Sequence, residues 1–168
     1  MNYEEKIRAL TFAMTEHERG NAKHIQHFLK VRAFALLIAE EEGVDDGTRD
    51  VLSAAALVHD IGINPAKAKY GSSAGTYQEL EGPVPTQAMM ERIGFDQTTI
   101  DRVKYLVAHH HTYTTIDGSD YQILVEADFL VNLFEGNEPE SAILAARENI
   151  FRTAAGKRLL DTMFDLTV

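Results

Sequence analysis

The sequence predicts an all-α fold, and three observations carry that reading. Apolar residues recur at helical spacing along nearly the whole chain. No stretch alternates apolar and polar residues as a half-buried strand does. Where the periodic segments end, a glycine or a capping side chain stands, as at Gly43, at Asp45 and Asp46, and at Gly94.

The periodicity places helices over about residues 3–15, 21–42, 48–60, 84–93, 97–110, 119–135, 138–150 and 154–164. Gly43 ends the second and Gly94 the fourth, while Asp45 and Asp46 are placed to cap the third. The segment "IGINPAKAKYGSSAGTYQELEGPVP", residues 61–85, is rich in Gly, Pro and Ser and reads as a long loop of the kind that often carries function. The helices "FLVNLFE" and "AARENIFRTAAGKRLLDTMF" read as amphipathic packing elements. No internal repeat or linker divides the 168 residues, so one domain spans 1–168, with a core of about 21–135 and C-terminal helices 138–164 packed on it.

Composition narrows the function classes. Without cysteine there is no disulfide, no thiolate metal site and no cysteine nucleophile. The net charge of −10 repels nucleic-acid phosphates at long range, so duplex binding is not expected. It leaves room for a small anionic substrate, because a cation and a few basic side chains reverse the field within one cleft. No apolar run approaches the roughly 20 residues of a membrane span, and "MNYEEKIRAL" has no signal-peptide core. The expected location is the cytoplasm, away from membranes, for a monomer or a homodimer.

Ionisable residues interrupt four apolar faces. In "AAALVHDIGIN" five apolar residues run into His59 and Asp60, and an unpartnered buried carboxylate costs several kcal/mol. In "NAKHIQHFLKVRAFALLIAEEEG" the stripe of Phe28, Val31, Phe34, Ala35 and Ile38 steps back onto His27 and then His24. In "YQILVEADFLVNLF" the stripe of Tyr121, Leu124, Val125 and Val131 contains Asp128, with Glu126 pointing away. In "IDRVKYLVAHHHTY" the face of Ile100, Val103, Leu106 and Val107 continues to His110, with His109 and His111 to either side. Each alone fits a core histidine, an ion-pair partner or a solvated helix end. Together they need one explanation for His27, His59, Asp60, Asp128 and His110, all inward on four helices whose stripes carry almost no Lys or Arg. One divalent cation satisfies the set, and imidazole with carboxylate suits Mn, Fe, Ni, Co, Zn or, with fewer His, Mg.

These residues resemble the HD superfamily of metal-dependent phosphohydrolases. "HFLKV" is similar to its His-x-x-(Lys/Arg)-Val signature, "AALVHDIG" to its His-Asp signature, and "VEADFL" to the segment with the last Asp. The resemblance covers about residues 21–135. It implies an all-α HD-domain bundle with the metal between helices, held by His27, His59, Asp60 and Asp128. Two-metal relatives have two further His before the final Asp. The second corresponds to His110, or else His109; at the first this chain has "ELEGPVPTQ", with Glu81 the only nearby ligand type. A one-metal hydrolase site is the simpler expectation, ahead of a di-iron oxygenase. "HHHTYTTIDGSDY" matches the HD-GYP phosphodiesterases poorly, since the Gly-Tyr-Pro triplet is missing.

The chemistry the resemblance implies is hydrolysis of a phosphate ester or anhydride in a small molecule, with a nucleotide as the expected partner. The alternative is an idle regulator that binds metal or nucleotide. Asp60 and Asp128 would roughly neutralise a divalent ion, and Asn132, one turn on, would support the ligands. His110 or His109 would orient water or hold the leaving oxygen, with His111 off that face. Lys30 and Lys67, with Lys69, are candidate phosphate contacts, and His24 is a candidate site-lining residue.

Overall fold

A computed structural model of the chain describes residues 1–167. Among the described residues ten helices follow in order: α1 Tyr3–His17, α2 Ala22–Glu41, α3 Asp46–Val58, α4 Ile63–Tyr70, α5 Gly75–Glu81, α6 Pro83–Ile93, α7 Gln97–His109, α8 Ser119–Glu135, α9 Glu140–Asn149 and α10 Ala154–Met163. There is no strand among the described residues. No helix among them is long and apolar enough to cross a membrane.

Local chemistry sets the boundaries. Asp45, Asp96 and Thr153 each accept a bond from a backbone N–H three residues on, which caps α3, α7 and α10. Asn2 and Glu5 form a reciprocal capping box at α1. Gly94 has φ +92° beyond α6, a conformation that ends the helix without the strain a Cβ would add.

The bundle is built around α3. Helices α2 and α8 pack on it and on each other, α7 and α1 cover its other sides, and α10 closes over α2 and α8. The alanine run of α3, Ala54, Ala55 and Ala56, is fully buried and lets these neighbours approach closely. Leu52, Leu57, Phe28, Val31, Ile38, Leu124 and Leu130 fill the space between them.

Two expectations change. Residues 61–85 are not a loop, because they hold α4 and α5, which pack on each other. Pro65 lies in the first turn of α4, where its missing N–H costs nothing, and Gly71 at φ +66° ends that helix. Glu126 does not point to solvent. It is fully buried, accepting from the Thr153 hydroxyl at 2.7 Å, the Gln122 amide at 2.6 Å and the backbone N–H groups of Arg152 and Thr153. A buried carboxylate with four donors ties the start of α10 to α8.

Candidate metal centre

The cluster forms where α2, the end of α3 and the middle of α8 converge. Helix α3 stops at Val58, so His59 is its C-cap and Asp60 lies in the turn beyond. His59 Nδ1 donates to the Ala56 carbonyl at 2.8 Å, one of the carbonyls a helix end leaves unpaired. That bond fixes the tautomer and turns Nε2 inward. His27 is held likewise, with Nδ1 3.0 Å from Glu135 Oε1.

Four inward atoms then meet. His27 Nε2 lies 3.2 Å from Asp60 Oδ2 and 3.2 Å from Asp128 Oδ1. His59 Nε2 lies 3.5 Å from Asp60 Oδ2 and 3.4 Å from Asp128 Oδ1, and the two Nε2 atoms are 3.1 Å apart. All four residues are buried. Adjacent ligands of one ion with bonds of about 2.1 Å stand roughly 3.0–3.4 Å apart, so these spacings fit a shared divalent cation. Asn132 donates to Asp128 at 2.9 Å and orients it.

The electrostatics point the same way. Burial drives both imidazoles towards neutrality, yet the carboxylates outweigh it, holding His27 at about 9 and His59 well above its ordinary value. Burial would raise Asp60 and Asp128. His59, His110 and His111 hold Asp60 far below the usual carboxylate range, and His27 and His59 do the same to Asp128. Without a metal, protons on the imidazoles supply the positive charge that two buried carboxylates require.

The other oxygen of Asp60 serves a second group. His110 Nε2 is 3.0 Å from Asp60 Oδ1 and His111 Nε2 is 3.7 Å from it. His110 is the C-cap of α7, with Nδ1 donating to the Val107 carbonyl at 3.0 Å. Burial lowers its pKa, although the bond to Asp60 works the other way. Asp60, His110 and His111 form a second potential ligand set, and Asp60 belongs to both.

Several sequence expectations are corrected here. His111 faces Asp60 rather than lying off that face, because α7 ends at His109 and helical extrapolation fails beyond it. His109 turns away, with Nδ1 2.7 Å from the Tyr105 carbonyl and its ring stacked on Tyr105. Glu81 belongs to neither set; it bonds Lys69 and the Tyr70 hydroxyl, which also takes Lys69 away from the cleft. In its stead Gln78 comes to His111, with Oε1 2.9 Å from Nε2. Lys30 pairs with Glu135 at 3.3 Å and does not line the opening.

A polar opening of about 240 Å³ leads to the cluster, lined by His24, His27, Asp60, Lys23, Lys67 and Asn132 among others. His24 Nδ1 is 2.7 Å from the buried carboxylate of Glu18, and its Nε2 stands 3.7 Å from Asp60 Oδ2. Sequence reasoning missed Lys23, Glu18 and Glu135, and the last two were legible only as helix-end acids. A larger cavity of about 500 Å³ lies between α8 and α9 and shares Asn132 with this opening.

No curated protein matches the chain. A crystal structure of a predicted HD superfamily hydrolase from an uncultured Thermotogales bacterium has a similar fold, with a TM-score of 0.66 at 22% identity, covering 98% of this chain and 92% of its own. Residues 24–147 match the HD domain family, a span that contains His27, the adjacent His59 and Asp60, and Asp128, and on that match the chain belongs to the HD domain family.

Proposed function

We propose that this protein is a metal-dependent phosphohydrolase acting on a small phosphate ester or anhydride, with a nucleotide as the favoured substrate. The observation that carries the reading is the set His27, His59, Asp60 and Asp128, spaced as ligands of one ion and reached by an opening that His27 and Asp60 line beside two lysines. The hydrolase description of the Thermotogales relative supports it.

A divalent ion in this set would lower the pKa of water towards neutrality and stabilise charge on a phosphoryl oxygen. The donors suit Mn, Fe, Co, Ni, Zn or Mg. The chain supplies the rest. Lys23 and Lys67 draw an anion to a mouth on a protein of net charge −10. His24, held by Glu18, lines that mouth with Nε2 turned inwards towards Asp60. His110 and His111, on the far oxygen of Asp60, are placed to move a proton or to hold a second cation.

The test is metal analysis of protein purified without chelator, then a panel of phosphate esters and anhydrides with Mn²⁺, Co²⁺ and Mg²⁺. At least one equivalent of metal and metal-dependent phosphate release are expected. Bound metal with no turnover across the panel would favour a regulatory role, and oxygen consumption by an iron form would favour oxygenase chemistry.

A further inference from the structure

We propose that the cavity between α8 and α9 receives the organic part of the substrate, a flat ring carrying amino or N–H donors on its edge. This rests on the hydrolytic reading above and extends it to substrate recognition. The cavity's volume, about 500 Å³, falls within the range of small-molecule sites. It adjoins the metal centre through Asn132, which lines both openings, and through Phe129, the neighbour of Asp128 in α8.

Its walls suit a ring. Tyr113 and Phe129 meet edge to face with centroids 5.4 Å apart, and Tyr113 remains partly exposed. Ala142 and Ala145 of α9 line the same cavity with a single methyl each.

Its polar groups select the edge. The Asn132 amide nitrogen is committed to Asp128 and the Asn149 amide nitrogen to the Ala145 carbonyl. Each side chain therefore offers its oxygen, and no described residue donates to either. The carboxylate of Glu138 also lines the cavity. These three acceptors match amino and N–H groups on a ring edge, and the Glu138 carboxylate disfavours a second anion. The phosphate end would then lie at the lysine side of Asn132 and the ring at the α9 side.

The experiment separates the cavity from the chemistry by using nucleosides, which have no phosphate. Adenosine and purine riboside, which lacks the amino group, are titrated by ligand-observed NMR against wild type, Ala145→Trp and Asn149→Leu. Adenosine is expected to bind wild type more tightly than purine riboside does, and Ala145→Trp to weaken it at least about tenfold. Asn149→Leu, which keeps the cavity open, should erase the preference for adenosine. Both variants should keep wild-type metal content. Loss of nucleoside binding in Ala145→Trp without turnover of any phosphate ester would overturn the hydrolytic reading while supporting the cavity. Equal adenosine affinity in all three proteins, or no binding by wild type at millimolar concentration, would overturn the cavity proposal.

Discussion

Asp60 Oδ1 lies 3.0 Å from His110 Nε2, while the other oxygen of the same carboxylate lies 3.2 Å from His27 Nε2. One side chain in the four-residue turn between α3 and α4 thus joins both ligand sets. Asp60→Ala should remove all bound metal, and the holo protein should lose its metal-dependent rise in Tm, since a ligand that binds only the native state stabilises by mass action. The metal-free variant should melt below metal-free wild type near neutral pH, because Asp60 pairs with His27, His59 and His110 there. Unchanged metal stoichiometry in Asp60→Ala would refute the ligand assignment.

His110 and His111 separate the two sets. His110→Ala should keep the ion held by His27, His59, Asp60 and Asp128 but lower kcat by about 10²–10⁴-fold, the usual contribution of a positioned acid or base. His111→Ala should also lower the rate, contrary to what helical extrapolation gives. His109→Ala, whose ring stacks on Tyr105, should leave kcat unchanged. Metal analysis and phosphate release on the three variants decide this, and a loss of the first ion in His110→Ala would contradict the division.

The metal-free protein should be sensitive to pH on both sides. His27 rises from 6.5 to about 9 on folding, so its contribution is complete below about pH 6.5 and is lost as pH climbs through 9. Asp60 and Asp128 are shifted down, so theirs is present above about pH 4 and lost in acid. Chelated protein should melt highest between about pH 4 and 6.5 and fall towards pH 9, by an amount of order 3 kcal/mol at most. Saturating Mn²⁺ should flatten the alkaline fall by taking the place of the proton. Parallel melting curves with and without metal would contradict this coupling.

The legibility of the site followed helical geometry. His27 and Asp128 lie inside long helices, where each continues an apolar stripe, and the burial of His59 and Asp60 shows in the apolar run before them. His111 lies past the last turn of α7, where a stripe no longer tells which way a side chain points. Glu126 seemed to face away because its donors come from residues 152 and 153, far along the chain. Helices α4 and α5 were hidden by Pro65, Gly71 and Gly75, residues that break helices in their interiors yet sit here at their ends.

Glu126→Ala should be among the more damaging substitutions remote from the metal. It orphans the Thr153 hydroxyl and two backbone N–H groups at the junction into α10, each worth roughly 1 kcal/mol or more when buried. Denaturation should show a loss of about 2–4 kcal/mol. Glu126→Gln should recover part of it, because its one carbonyl oxygen can serve only some of the donors. Metal content should not change in either variant.

Gly62 makes the last prediction, because it sits two residues after Asp60 with no room for a side chain. A Cβ there would stand 2.8 Å from Gly82 N and would collide with the Gln78 carbonyl oxygen. Both neighbours are backbone, so neither yields by changing rotamer. Gly82 is packed in turn against Val107 of α7, where its own Cβ would stand 2.5 Å from Val107 Cγ1. The two glycines thus let the turn after Asp60 press on the junction of α5 and α6, and that contact holds Gln78 against His111. Gly62→Ala must drive the junction outwards. Overpacking of this kind costs about 1–3 kcal/mol, or roughly 2–12 °C in Tm for a chain of this size. The displacement reaches Gln78 and His111 first, while His27, His59 and Asp128 are held by other elements. The variant should therefore retain one ion and lose rate more than it loses metal. Wild-type Tm and wild-type kcat in Gly62→Ala would show that the junction does not position the second set.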